Sequence, residues 1–79
     1  MPIIRFPVID LTKTGENITR LMKQNSITVK ILQEIFGFEY PQAIYKWKHG
    51  ECLPTIDNLI ILASIFKTTI DQIIVVSDL

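Results

Sequence analysis

Apolar residues recur at helical spacing along most of this chain. The clearest run is Ile56, Leu59, Ile60, Ala63 and Phe66, at i, i+3, i+4, i+7 and i+10. Thr55 stands where a side-chain oxygen can cap that helix, so the spacing predicts a helix from Ile56 with the stripe turned to a core. Upstream, Ile18, Leu21 and Met22 share a side of a helix capped by Asp10 and running to about Gln24, where Asn25–Ser26 ends it. Gly15 lies inside this helix and weakens it by roughly 1 kcal/mol relative to Ala. Thr28 caps a second helix, about Val29 to Phe36, and Gly37 supplies its left-handed stop. The turn Phe38–Glu39–Tyr40 leads to a third, and Glu51–Cys52–Leu53–Pro54 forms the loop before the fourth. Thr69 and Asp71 sit where a cap and a first-turn acid belong, which favours a short fifth helix from Ile70 to about Val75. The run Ile73–Ile74–Val75–Val76 would also suit a strand. Residues 1–9 carry two prolines and alternating apolar positions, so they are expected to form an extended arm preceding a domain of residues 10–79.

The third helix is the informative one. Pro41 suits its first turn and Gly50 the residue just past its end. Ile44 and Trp47, three apart, share one face. Gln42, Tyr45, Lys46 and His49 fall at i, i+3, i+4 and i+7 on the other. Most polar stripes are simply solvated faces. This one also has the chemistry of a groove reader: Gln can bond the N6 and N7 of adenine, and Lys can donate to guanine O6 and N7 or to phosphate. The Tyr45 ring suits a thymine methyl, and its hydroxyl a phosphate.

Composition and charge narrow the classes. Seventy-nine residues make one domain with a single modest core. No apolar run approaches the roughly 18 residues of a membrane span, and the start resembles neither a signal nor a transit peptide. One cysteine, Cys52, cannot form an intrachain disulfide and fits a reducing cytosol, so a cytoplasmic location is expected. Net charge is zero, unlike most DNA-binding domains. Its distribution is uneven: residues 1–50 hold seven Lys/Arg against four Asp/Glu, and residues 51–79 hold one against four. The positive half contains the Gln/Tyr/Lys/His helix.

Other chemistries fit poorly. Trp47 as a base-stacking platform conflicts with its place beside Ile44, where core packing accounts for it. His49 and Cys52 are two ligands without partners, not a structural zinc set, so no metal and no cofactor are expected. A Cys52–His49 nucleophile lacks an orienting third group, and the residues between them read as helix stop and loop. No enzymatic activity is expected.

A second helix of about eight residues, a tight turn and a third helix with an exposed polar face make a helix-turn-helix. The sequence also resembles the Cro/lambda-repressor (XRE) regulators. The matching stretches are Gly15–Glu16–Asn17–Ile18 with Arg20–Leu21, Ile27–Thr28 with Leu32, Glu34 and Phe36–Gly37, and Gln42–Ala43–Ile44–Tyr45–Lys46–Trp47. They continue through Gly50–Glu51, Leu53–Pro54, Ile56–Asp57–Asn58–Leu59, Leu62–Ala63 and Thr69–Ile70–Asp71–Gln72–Ile73, covering roughly residues 10–75. The resemblance implies an all-α, compact five-helix lambda-repressor-like DNA-binding domain with an extended N-terminal arm. It implies a homodimer that regulates transcription, most simply as a repressor, at a palindromic site in double-stranded DNA. By position it assigns base contacts to Gln42 and Lys46, with Tyr45 between them on the same face. It matches Thr28 and the first N–H groups of helix 2 to the family's phosphate clamp; Lys30, Tyr40, Lys48 and His49 are further candidates for backbone contact.

The chain departs from the family pattern in three places. The turn between helices 2 and 3 is one residue longer, and Gln33 stands where a small alanine usually faces helix 3. Met22 and Lys48 replace an Arg and a Glu that often pair, which leaves Lys48 free to approach a phosphate. The apolar surplus is a further oddity: Ile31, Ile35 and Ile61 occupy positions that are commonly polar. They belong either to the core, if the longer turn rotates helix 2, or to an exposed patch for a protein partner or a second subunit. Ile73 to Val76 and the Ile3–Ile4–Phe6–Val8 arm are further candidates for a dimer seam. The alternative to DNA binding is a helix-turn-helix module that binds a toxin, a repressor or another protein.

Overall fold

Local capping chemistry sets most of the element boundaries. The computed structural model describes residues 6–78. Their order is β1 (Pro7–Ile9), α1 (Leu11–Gln24), α2 (Val29–Phe36), α3 (Gln42–Lys48), α4 (Ile56–Ile65), α5 (Ile70–Ile73) and β2 (Val76–Asp78). The Asp10 carboxylate accepts the Lys13 N–H, Thr28 Oγ1 the Ile31 N–H and Thr55 Oγ1 the Asn58 N–H, which starts α1, α2 and α4 as expected. Thr69 precedes α5 but makes no side-chain cap bond, so it marks that start by backbone conformation alone.

Four helices stop in the same way. A residue in the left-handed region turns the chain so that the next N–H reaches back to the last turn. Gly37 (φ 69°) and Gly50 (φ 72°) do this after α2 and α3, where glycine carries no steric penalty. Ser26 (φ 57°) and Lys67 (φ 56°) do it after α1 and α4 without that freedom. The bonds Ile27 N–H to Met22 O, at 2.8 Å, and Thr68 N–H to Ala63 O, at 2.9 Å, hold those two turns.

The core is one cluster: Ile18, Leu21 and Met22 from α1, Leu32 from α2, Ile44 and Trp47 from α3, Leu59, Leu62 and Ala63 from α4, then Phe66 and Ile73. α1 is its centre, packing on both α3 and α5. Met22, expected to replace a charged residue, lies within this core.

Three expectations are corrected. α5 ends at Ile73 and not near Val75, because Val76–Asp78 pairs antiparallel with Pro7–Ile9, in the register Val8 opposite Ser77. The strand preference of the isoleucine–valine run prevails once a partner strand is present. Residues 7–9 are therefore extended but not free-standing; the Ile3–Ile4 part of the arm lies outside the described residues. The stripe on α4 is also rotated: Leu59, Ala63 and Phe66 face the core together with Leu62, whereas Ile56 and Ile60 are 72% and 56% exposed. Ile73 is fully buried, while Val76, paired with Ile9, keeps its side chain 54% exposed. Ile31, Ile35 and Ile61 are exposed, which decides against a rotated helix 2 that buries them.

Candidate nucleic-acid interface

α3 is held from behind and open in front. Ile44 and Trp47 are buried, while Gln42, Tyr45, Lys46 and His49 are exposed on the other side. Behind Trp47 lies an aromatic cluster. Phe36 stacks on Phe38 at 5.2 Å, and the Trp47 ring meets the two edge-on at 5.6 and 6.0 Å. Phe36 ends α2 and Phe38 opens the turn, so the cluster fixes α3 to the helix before it. Trp47 is thus a packing residue.

Pro41 occupies the capping position just before α3 and not a place within its first turn. Its carbonyl accepts from both Ile44 and Tyr45 N–H, at 3.1 and 3.2 Å. At the other end Gly50 permits the Glu51 N–H to reach Lys46 O at 2.9 Å. The same end is pressed onto α1. A Cβ on Gly15 would lie 2.5 Å from Lys48 O and 2.6 Å from Trp47 O. One on Gly50 would lie 2.8 Å from Thr12 Cα. Only glycine at both places lets the backbones meet, and this contact sets how far α3 stands out from the body of the fold.

The longer turn has its own clamp. Gln33 Nε2 donates to Phe38 O at 3.2 Å and to Glu39 O at 3.1 Å. An alanine at this position has no reach to the turn, so glutamine offsets the extra residue by bonding two carbonyls that the turn leaves free. Gln33, Gly15 and Gly50 hold α3 and its turn in place through contacts within the fold. A lone glycine inside a well-capped helix was the available signal for Gly15.

The candidate contact residues fall into two groups. Gln42 and Lys46 lie one turn apart on the open face of α3. Beside them the Tyr45 and His49 rings are 6.2 Å apart, and Lys48 Nζ stands 5.6 Å from the Tyr45 ring centre, within cation–π range. Tyr40, in the turn, is 63% exposed. Thr28 and Lys30 are exposed at the far end of α2, a helix of eight residues and about 12 Å from the turn. They lie at a separate edge, where the Thr28 hydroxyl oxygen accepts the Ile31 N–H and its O–H stays able to donate.

This is a bihelical unit with a braced, outward-facing second helix, and the family model for the Cro/C1-type HTH DNA-binding domain matches residues 17–78. The chain belongs to that family. No curated protein and no solved structure gives a significant match. The Cro/C1-type DNA-binding domain spans α2, the turn and α3 together with α4, α5 and β2. Among the described residues no helix is long and apolar enough to cross a membrane, and no three His, Cys, Asp or Glu gather as a metal set. Cys52 is an exposed free thiol.

Proposed function

We propose that this Cro/C1-type domain is a sequence-specific transcriptional repressor that binds a palindromic operator as a homodimer, with α3 in the major groove. The observation that carries this reading is the two-sidedness of α3. Ile44 and Trp47 are locked in the core, and Gln42, Tyr45 and Lys46 stand free at base-reading spacing. Residues 40–50 contain two lysines and a histidine and no acid, so the face meets phosphate without like-charge repulsion despite the neutral total. Lys48 and His49 flank the readers for backbone contact, with Tyr40 in the preceding turn. Thr28 and Lys30 at the start of α2 supply the second backbone anchor. A cytoplasmic setting follows from this role.

Selection of bound duplexes from a random pool tests the proposal, followed by footprinting of the winners. The expected product is an inverted repeat with half-sites about one helical turn apart. Enrichment of no sequence, or of a single asymmetric half-site, overturns it.

A protein-partner reading has one observation in its favour. Ile31 and Ile35 are exposed on α2, where a DNA-binding helix gains nothing from isoleucine. It predicts capture of a protein by wild type that is lost when both become serine, with duplex binding unaltered.

A further inference from the structure

We infer that the outer face of α4 is the seam on which a second copy of this chain docks, antiparallel and related by a two-fold axis. The inference rests on the homodimer reading above and names its interface. α4 is apolar nearly all round: Leu59, Leu62 and Ala63 point into the core, and Ile56, Ile60 and Ile61 point out at 72%, 56% and 40% exposure. A helix apolar on every side is a buried helix, and here only one side is covered. The remaining outward positions are small or charged. Ser64 lies one turn beyond Ile60, while Asp57 and Lys67, both exposed, mark the two ends.

The charges choose the occupant. Asp57 is in the first turn of α4 and Lys67 follows its end, ten residues and about 15 Å away. An antiparallel copy centred near Leu62 brings Asp57 against Lys67 of the partner at both ends at once. A parallel copy puts like against like. In the antiparallel pair Ile60 faces the partner's Ser64, whose small side chain leaves room for it, and Ile61 fills the centre. The seam is thus complementary to itself, as a two-fold contact requires. Lys67 adds to this: its φ of 56° suits glycine, and lysine contributes a charge at the end of the stripe that glycine lacks. A pair of ten-residue helices buries less than the ~1,200 Å² of a standard stable interface, so association is weak in free solution and is completed on DNA.

Sedimentation equilibrium of the full chain, with circular dichroism to verify folding, tests the seam. Ile60→Ser with Ile61→Ser is expected to raise the dimer dissociation constant at least roughly tenfold. Asp57→Lys and Lys67→Asp should each weaken the dimer, and their combination should restore it to within about threefold of wild type. Binding to an isolated half-site should be the same for all of them, since none of these residues lies on α3. Unchanged dimerisation in every variant, or a double charge swap no better than the singles, overturns the α4 seam and leaves the homodimer reading standing. A wild-type chain that stays monomeric in solution and binds its operator as one copy overturns both. In that case the stripe is left to a different protein.

Discussion

A Cβ placed on Gly15 would stand 2.5 Å from the carbonyl oxygen of Lys48, closer than a real Cβ comes to a non-bonded atom. The interhelical contact that positions α3 therefore depends on a missing side chain. Gly15→Ala improves the intrinsic propensity of α1 by roughly 1 kcal/mol and still should destabilise the fold, by about 2–3 kcal/mol. The reason is that the obstructing atoms are backbone and cannot rotate away. Denaturant unfolding checks the sign. A stabilised Gly15→Ala protein would show that α1 and α3 separate at little cost.

The turn clamp gives a second expectation. Gln33→Ala removes two hydrogen bonds, to Phe38 O and Glu39 O, and should lower stability by about 1 kcal/mol. The larger effect is local: amide exchange in residues 38–43 should rise more than in α1 or α4. Uniform protection across the chain would mean that the aromatic cluster alone sets the turn.

Ser26 should be improvable. It holds φ 57° after α1, a conformation in which glycine has no Cβ penalty. Ser26→Gly should raise stability by about 0.5–1 kcal/mol, read from the shift in the denaturation midpoint, with DNA binding unaltered. A loss of stability would show that the serine makes a contact worth more than the strain.

How far the fold was legible follows the range of the interactions involved. Asp10, Thr28 and Thr55 cap their helices by bonds to residues three positions on, so sequence spacing alone predicts them. The end of α5 is different. The choice between helix and strand at Val76 is made by Ile9, its partner 67 positions away, and no local rule contains that pairing. Asn17 bonds the carbonyls of Gln72 and Ile73 at the close of α5, and Thr14 Oγ1 accepts the Val75 N–H; both are polar residues of α1 acting at a distance. On α4 the apolar pattern was dense enough to fit more than one face, and only packing shows that Leu62 is inside and Ile60 outside. The outward stripe of α3 was legible because its opposite face is narrow: Ile44 and Trp47, three apart, with Ala43 beside them.

Phosphate anchoring is expected to be separable from base reading. Lys30 on α2 and Lys48 on α3 should add affinity without sequence information. Lys30→Ala and Lys48→Ala should weaken binding to all duplexes alike and reduce the slope of log K against log salt by about 0.9 per lost contact in each subunit. Lys48→Ala also removes the cation beside Tyr45, 5.6 Å from its ring centre, so a change in Tyr45 fluorescence or ring chemical shift should accompany it. A loss confined to one base position would move either lysine into the reading set.

Gln42 and Lys46 should carry the specificity. They are one turn apart on the open face of α3, and each side chain can address a neighbouring base pair. Gln42 opens the helix, the part that enters the groove most deeply in this motif. Neither is needed to hold the helix, because Ile44, Trp47 and the Gly15 contact anchor it from behind. Gln42→Ala should therefore leave the melting temperature nearly unchanged. It should cost about 1–3 kcal/mol on the preferred operator and relax preference at one position of each half-site. Lys46→Ala should act alike at a neighbouring position, with some added loss of salt dependence where it also meets phosphate. Selection from random duplexes with wild type and both variants measures this directly. If all three enrich the same sequence with the same stringency, the open face of α3 is not the reader. The exposed isoleucines of α2 then become the better guide to what the domain binds.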